Sequence, residues 1–352
     1  MAVNWAASFS LTARELAIAT WASLAAGQGT ARTTPDKPTR RLAPAPAPGA
    51  TPVSRVRAMK FSLWPDNDRP PAELLDEVRY AESAGWHGVW LADHYMPNTG
   101  DATPARGDAY ECWGLLPAIA AVTGRVRIGT LVSPTSVHHP ALLAKRAATI
   151  DRLSGGRMVL GLGAGWQINE HHAYGIELEP PGPRVSRFEE AITIVRSMLA
   201  QETTTFEGEF YGVTDAPCDP KPIQSPLPIL VGTRSPRMLG ITARQADEWN
   251  TWGTPEQAGE SRMALLAACD KADRDPATMR TTVNAFIDLR EVPKSGGRPT
   301  LSGSASAVVD QLGRYAELGF DEFIMPDWNL GRDGVADRVA QIKSEVFDQL
   351  SR

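Results

Sequence analysis

From Met59 onward, short apolar runs alternate with longer segments whose apolar residues recur at helical spacing. The first run, 60–64, is typical of a buried strand, and Leu74, Val78 and Ala81 share one face of the segment that follows it. Gly85 is expected to end that helix. The pattern therefore starts with one strand followed by one helix.

This pair recurs along the chain to residue 350. The predicted strands are 60–64, 88–92, 126–132, 158–162, 228–232, 248–252, 281–289 and 322–326, and the predicted helices end near 84, 123, 153, 201, 245, 271, 318 and 350. Strict alternation of eight strands and eight helices predicts an α/β fold, a parallel TIM (β/α)8 barrel, with functional residues at the carboxyl ends of the strands. A doubly wound sheet is the alternative, but it calls for a glycine-rich phosphate turn after the first strand, where Trp64-Pro65-Asp66 stands.

The alternation is interrupted after the fourth helix, which is predicted over about 185–201. Residues 203–227 contain Gly208, Gly212 and several prolines, and they predict a short hairpin with an irregular insertion. A polar, glycine-containing loop is expected at 294–303.

Residues 1–58 differ in composition from the rest. They are basic, and six prolines lie between Pro35 and Pro52, interleaved with alanine. Such a composition predicts a disordered extension ahead of a barrel domain at 59–352. An artefact of an upstream start site and a genuine basic tail are both compatible with it.

Bulk composition excludes several classes of protein. The net charge of −5 argues against a nucleic-acid-binding surface. No apolar run is long enough to span a membrane. The three cysteines, at 112, 218 and 269, are odd in number and widely spaced, so a reducing cytoplasm is the expected compartment.

The residues that follow the strands are expected to converge on one pocket. They include Trp64, Asp93-His94-Tyr95, Gly163-Ala164-Gly165-Trp166, Asn250-Thr251-Trp252 and Asp327-Trp328. The set is rich in tryptophan and poor in titratable groups, and it contains no metal-ligand cluster and no nucleophile motif, so no metal is predicted. Such a pocket favours a large flat cofactor that supplies the chemistry itself.

Two stretches suggest how that cofactor is held. Glycines at 161, 163 and 165 end the fourth strand and allow a close backbone approach to a ligand, although a tight turn without a ligand is equally compatible. Thr233-Arg234-Ser235 opens the helix after the fifth strand, where free N–H groups, hydroxyls and a guanidinium predict a phosphate site. An ordinary capped helix with a solvated arginine is the alternative.

Several segments together resemble the luciferase-like monooxygenase family. They are Val89–His94, Ile128–Pro134, His139–Lys145, Leu153–Arg157, Gly161–Trp166, Pro228–Gly232 and Ala246–Asn250. The resemblance extends in order over about 59–350 and is strongest to the branch that uses the deazaflavin coenzyme F420. It implies a luciferase-like barrel, with an insertion at 203–227, that commonly forms a homodimer.

The resemblance also implies individual roles. His94 corresponds to a catalytic histidine, and Asp93 lies beside the deazaflavin ring in such relatives. Cofactor contacts are implied for Thr130, Leu131, Ser133, Ala164, Gly165, Asn169, Gly232, Thr233, Arg234 and Ser235. A non-prolyl cis peptide is implied near Thr130–Val132.

Two positions depart from the family pattern. Trp166 stands where sugar-phosphate dehydrogenases of the family have an acidic proton donor, which argues against that activity. The phosphate loop is Thr-Arg-Ser where relatives are usually rich in glycine, which suggests a different grip on the phosphate.

Three functions are compatible with these features. The first is an F420-dependent oxidoreductase that transfers a hydride between cofactor C5 and a small organic substrate, supplied by a cofactor-reducing enzyme. The second is an FMN-dependent monooxygenase that uses O2 and a flavin reductase partner. The third is a non-catalytic cofactor-binding barrel.

Overall fold

The computed structural model describes residues 59–290 and 297–350. The extension predicted over 1–58 and part of the loop at 294–303 lie outside these residues. Within the described part, no helix is both long and apolar enough to cross a membrane.

Eight parallel strands close into a barrel. The strands of the described residues are β1 (Lys60–Trp64), β2 (Gly88–Leu91), β3 (Arg127–Thr130), β4 (Ser133–Pro134), β5 (Met158–Gly163), β6 (Thr203–Glu207), β7 (Gly212–Pro217), β8 (Ile229–Gly232), β9 (Glu248–Trp252), β10 (Arg280–Asn284), β11 (Phe286–Asp288), β12 (Thr300–Ser302) and β13 (Glu322–Pro326). Around the barrel the order is β3-β2-β1-β13-β10-β9-β8-β5, and pairing of β5 with β3 completes the ring. The predicted TIM barrel is confirmed.

Helices surround the barrel. They are α1 (Pro71–Ser83), α2 (Cys112–Val122), α3 (Pro140–Ser154), α4 (Ile168–Tyr174), α5 (Pro181–Ala200), α6 (Pro236–Gln245), α7 (Pro255–Lys271), α8 (Ala305–Glu317), α9 (Val335–Ile342) and α10 (Asp348–Leu350). A π-helical turn, Lys343–Phe347, joins α9 to α10. The main apolar core lies between strands and helices, and a smaller cluster that includes Trp90, Val159 and Leu230 fills the barrel.

The hairpin predicted after the fourth helix is present. Strands β6 and β7 pair antiparallel with one irregularity between Thr204 and Phe206. The helix before them, α5, begins at Pro181 rather than near 185, because proline is tolerated in the first turn of a helix.

Two local predictions are wrong, and one short helix was missed. The seventh strand is not continuous over 281–289: β10 ends at Asn284, and β11 pairs with β12 outside the barrel. The alternation of apolar strands and helices along the sequence cannot show that one apolar run is divided between two sheets. The short helix α4 was not predicted, because seven residues carry too little periodicity, and the last helix is interrupted by its π-helical turn.

A buried ionic cluster occupies the amino-terminal end of the barrel. Glu322 accepts hydrogen bonds from Ser62, Trp90, Arg127 and Arg280. Burial tends to raise the pKa of Glu322, but the two guanidinium groups outweigh it and hold this pKa below its usual range. The cluster ties strands β1, β2, β3, β10 and β13 together far from the opposite, functional end.

Candidate cofactor and substrate site

The carboxyl ends of the strands open into a cavity of about 950 Å³. It lies where the alternation predicted the site, and its volume is near the upper end of the range typical of ligand pockets. Its lining divides into a cationic end, an apolar wall and an aromatic end with carboxyl groups.

The cationic end is built by the starts of two helices. Thr233, Arg234 and Ser235 precede α6, and Arg184 lies in the first turn of α5; all four line the cavity, as does Gly232. The side chain of Ser235 makes no capping hydrogen bond, so the first N–H groups of α6 keep their capacity to bind an anion. Arg184 donates to the carbonyls of Gly165 and Glu179, both at 2.9 Å, which aim its guanidinium along the cavity wall.

The apolar wall is formed by the ends of β3 and β5. Leu131, Val132, Ala164 and Gly165 line the cavity, and the Leu131–Val132 peptide bond is cis, as the resemblance implied. A Cβ on Gly165, whose φ is +92°, would approach Ser136 Oγ to 1.9 Å. Glycine is therefore required at position 165, because a side chain there would collide with Ser136 and the positive φ disfavours other residues.

Gly161 does not provide the close approach to a ligand that the sequence analysis considered for it. A Cβ there would lie 2.0 Å from the carbonyl oxygen of Thr130, on the neighbouring strand. This glycine therefore serves strand packing, and it does not line the cavity.

Four residues implied as cofactor contacts lie behind the wall. Asp93, Thr130, Ser133 and Asn169 are buried and are not among the cavity-lining residues. Asp93 accepts hydrogen bonds from Ser133 Oγ (2.5 Å), Trp113 Nε1 (2.9 Å) and His138 Nε2 (2.9 Å). Burial favours a higher pKa for Asp93, but these hydrogen bonds outweigh it and lower the pKa.

The other two anchor neighbouring backbone. Thr130 Oγ1 donates to the Gly161 carbonyl at 2.7 Å, and Asn169 Nδ2 donates to the Pro97 carbonyl at 2.8 Å. The structure thus places all four where they support the wall, and direct contact with a cofactor stays a prediction for them.

His94 reaches the cavity from the end of β2. Its Nδ1 lies 2.9 Å from Glu170 Oε1, and the other Glu170 oxygen accepts the backbone N–H of Tyr95 at 3.0 Å. Because a carboxylate only accepts hydrogen bonds, Nδ1 carries the proton. In the neutral form of the ring, Nε2 is then unprotonated and can accept a hydrogen bond.

Trp166 stands beside His94. The two rings meet edge to face with centroids 5.5 Å apart, and Trp166 is 57% exposed while lining the cavity. It contributes a flat apolar surface and no titratable group.

The aromatic end is formed by Trp64, Trp252 and Trp328. The Trp64 ring centroid lies 4.8 Å from that of Trp328 and 5.6 Å from that of Trp252. All three line the cavity. Such a surface favours a planar, apolar ligand.

Asp66 lies at the edge of this aromatic end, two residues after Trp64. Burial, followed by repulsion from Asp68 and Asp327, raises the pKa of Asp66 to about 6. Its backbone N–H donates to Asp327 Oδ1 at 2.8 Å, which holds the turn in place.

Three cavity-related residues were missed in the sequence. Glu170 follows His94 by 76 positions, so no local spacing connects them. Arg184 was assigned to the loop before its helix. Asp66 could have been found, because it follows the first strand directly, at the end where functional residues gather.

The described residues hold no group of three or more histidine, cysteine or acidic side chains arranged to bind a metal ion. His171, for example, is buried and bonded to Ser136 Oγ and the Gln167 carbonyl.

The barrel and the site define an enzyme-like α/β barrel whose cavity has a cationic end beside an apolar wall. The model of the family described as luciferase-like monooxygenase matches residues 56–295, and the chain belongs to this family.

Two relatives agree with this assignment, and one solved structure shares the fold. An uncharacterized protein of Mycobacterium tuberculosis is 32% identical over 266 residues, covering 71% of this chain and 86% of that protein. An F420-dependent glucose-6-phosphate dehydrogenase of Microbacterium testaceum is 30% identical over 304 residues, covering 73% and 88%. The structure of an F420-dependent secondary alcohol dehydrogenase with an F420-acetone adduct matches with a TM-score of 0.71 and 18% identity, covering 82% and 99%. The last likeness supports the fold alone.

Proposed function

We propose that this protein is an F420-dependent oxidoreductase that transfers a hydride between the deazaflavin and a small, planar organic substrate. The observation that carries the proposal is the joint lining of one cavity by a cationic end, a flat apolar wall and a carboxylate-oriented histidine. The F420-dependent relatives support the choice of cofactor.

The residues present fit such a cofactor. Arg184, Arg234 and the start of α6 would hold its phosphate, since a helix N-terminus and guanidinium groups both favour an anion. Leu131, Val132, Ala164 and Gly165 would support its ring system. When bound, the deazaflavin supplies the hydride chemistry at its C5 atom.

The remaining space suits the substrate. Trp64, Trp252 and Trp328 would stack on an apolar or conjugated molecule and exclude water from the reacting atoms. His94, fixed by Glu170, would accept a hydrogen bond from the substrate and orient it. Trp166 cannot donate the proton that an acidic residue supplies at this position in sugar-phosphate dehydrogenases of the family, which argues against a sugar phosphate as substrate.

The proposal also includes partners outside the chain. A separate enzyme would supply the reduced cofactor, and a second copy of the chain would complete a homodimer. Sedimentation of the purified protein across a concentration series tests the dimer, and a purely monomeric species would rule it out.

Fluorescence titration of the full-length protein with F420 and, separately, with FMN tests the choice of cofactor. Saturable F420 binding with at least tenfold weaker FMN binding is expected. Preference for FMN would replace this proposal by the monooxygenase function. Binding of neither would show that the Thr233–Ser235 loop is not a phosphate site. Tight binding without redox change on enones, ketones and imines would favour a non-catalytic barrel.

A further inference from the structure

The guanidinium of Arg69 pairs with two carboxyl groups beside the aromatic end of the cavity, and its Nε donates to the backbone carbonyl of Asp66, whose carboxyl group is a third one nearby. Arg69 Nη1 contacts Glu77 Oε2 at 2.6 Å, and Arg69 Nη2 contacts Asp327 Oδ2 at 2.5 Å. Asp66 is bound to the same Asp327 through its backbone N–H. Arg69, Glu77 and Asp327 are all buried. One positive charge cannot neutralise three carboxylates in such a site, and burial, followed by repulsion from Asp327, raises the pKa of Glu77 to about 9, so that Glu77 keeps a proton at neutral pH.

Asp66 is the member of this cluster that lines the cavity. Glu77 lies on α1 and Asp327 follows β13, and neither reaches the cavity surface. Asp66 Oδ1 accepts only a long bond, 3.3 Å, from the Asp68 backbone N–H. Of the three carboxyl groups, that of Asp66 is therefore the one that can exchange a proton with a molecule bound in the cavity.

The charged groups around Asp66 together increase its affinity for a proton. Asp68 and Asp327 repel a charge on Asp66, whereas Arg69 attracts one and is already bound to Glu77 and Asp327. Arg332 pairs with Asp68, and Asp108 is exposed at the cavity margin. The burial and repulsion that raise the Asp66 pKa to about 6 give it the balance of acid and base that proton exchange near neutral pH requires.

No other residue lining the cavity is as well suited to donate a proton. The neutral ring of His94 would offer the cavity only an acceptor at Nε2, because Glu170 holds Nδ1, and Trp166 has no titratable group. Arg184, Arg234 and Arg298 do not release protons in proteins. Asp68 is engaged by Arg332, and Asp108 is exposed to solvent.

We infer that Asp66 is the catalytic acid–base residue that exchanges a proton with the substrate. The inference rests on the proposed function. In the reducing direction, the carbon of a polarised C=C, C=O or C=N bond gains the hydride and its electron pair from the reduced deazaflavin. The bond's π electrons move to its other end, and Asp66 Oδ–H donates its proton there and becomes a carboxylate. The substrate gains two electrons and two hydrogens, and solvent reprotonates Asp66.

The first test needs neither substrate nor cofactor. Carboxyl ¹³C shifts of aspartate-labelled, cofactor-free protein should show one group that titrates near pH 6 and disappears in Asp66→Asn. In Asp68→Asn this titration should move to lower pH, because a neighbouring negative charge is removed. A titration of Asp66 below pH 4.5 would overturn the inference.

The second test uses reduced F420 with 2-cyclohexenone, acetone and a cyclic imine as probes. Asp66→Asn should lower kcat at least 100-fold and remove the loss of activity above pH 6, while F420 affinity stays within threefold. Asp66→Glu should restore part of kcat, and Asp310→Asn, on the exposed face of α8, serves as the matched control. Unchanged kcat and an unchanged pH profile in Asp66→Asn would contradict the role. Failure of the proposed function would appear differently, as loss of F420 binding by the wild-type protein.

Discussion

The Nδ1 atom of His94 lies 2.9 Å from Oε1 of Glu170, which is buried and comes from the short helix α4. The same carboxylate also receives the N–H of Tyr95, the residue next to His94. Glu170 thus sets both the ring orientation and the backbone that carries it. A histidine held in this way is prepared to meet a ligand without reorganisation.

Replacing His94 by alanine is expected to reduce turnover and to spare cofactor binding. The ring lines the cavity away from the cationic end, so the phosphate contacts stay intact. Loss of a positioned acid–base or hydrogen-bonding side chain typically costs about 10²–10⁴-fold in rate. Steady-state kinetics with reduced F420 and fluorescence titration measure the two effects, and full activity of the variant would remove His94 from the mechanism.

Replacing Glu170 by glutamine should release the orientation of His94. An amide can present its N–H to Nδ1, which favours the other ring tautomer, and kcat is expected to fall by about 10–100-fold, as for other groups that orient a functional histidine. Ring ¹⁵N shifts of His94 report the tautomer directly. Glu177→Gln, in the exposed stretch after α4, is the control, and an unchanged His94 spectrum in Glu170→Gln would contradict the assigned tautomer.

Alanine at Arg234 or at Arg184 should weaken cofactor binding. A hydrogen bond to a charged group contributes about 1.5–3 kcal/mol, so the dissociation constant should rise about tenfold or more in each variant. Arg244 lies at the other end of α6 and pairs with Glu189, so Arg244→Ala is a matched control. Equal affinities for all three variants would place the phosphate elsewhere.

Asp66→Asn should stabilise the protein at high pH. The folded pKa is about 6 and the ordinary value is 3.8, so the stability linked to the protonated form is complete below pH 3.8 and is lost as the pH rises through 6. At pH 8 the variant should therefore be more stable than the wild type by up to about 3 kcal/mol, and the difference should shrink toward pH 4. Urea unfolding at both pH values measures it, with Asp310→Asn expected to show no such pH dependence; a constant difference would argue against a raised pKa.

Glu322→Ala should strongly destabilise the barrel without involving the cavity. It leaves Arg127 and Arg280 short of a buried partner, which typically costs about 3–5 kcal/mol. Because the folded pKa of Glu322 is lowered, its contribution is present above the ordinary carboxyl pKa and is lost as the pH falls through the lower folded value. Thermal unfolding at neutral and at acidic pH, with Glu317→Ala on the exposed side of α8 as the control, checks both statements. Equal midpoints at neutral pH would show that the cluster adds little.

Much of the fold was predictable because its signals are local. The bounds of β1, β9 and β13 agree residue for residue with the predicted strands 60–64, 248–252 and 322–326, since a strand buried on both faces forms a continuous apolar run. The division of the predicted strand 281–289 into β10, which belongs to the barrel, and β11, which pairs with β12, was not predictable. Strand pairing depends on residues far along the chain.

The site divides in the same way. His94, Ala164, Gly165 and the Thr233–Ser235 loop could be placed at the cavity because each follows a predicted strand. Strand ends alone did not distinguish residues on the surface of the wall from those behind it, and Asp93, Thr130, Ser133 and Asn169 lie behind it.

The sequence by itself determined the parallel barrel, the end of the barrel at which the functional residues lie, and the family. Apolar periodicity and contiguous motifs are local features that can be recognised without the tertiary structure. Only the tertiary structure decided which side chains meet across it. Glu170 reaches His94 over 76 positions, and Asp327 reaches Asp66 over 261. Closure of the sheet brings these partners together, and burial there sets the pKa of Asp66 and the orientation of His94.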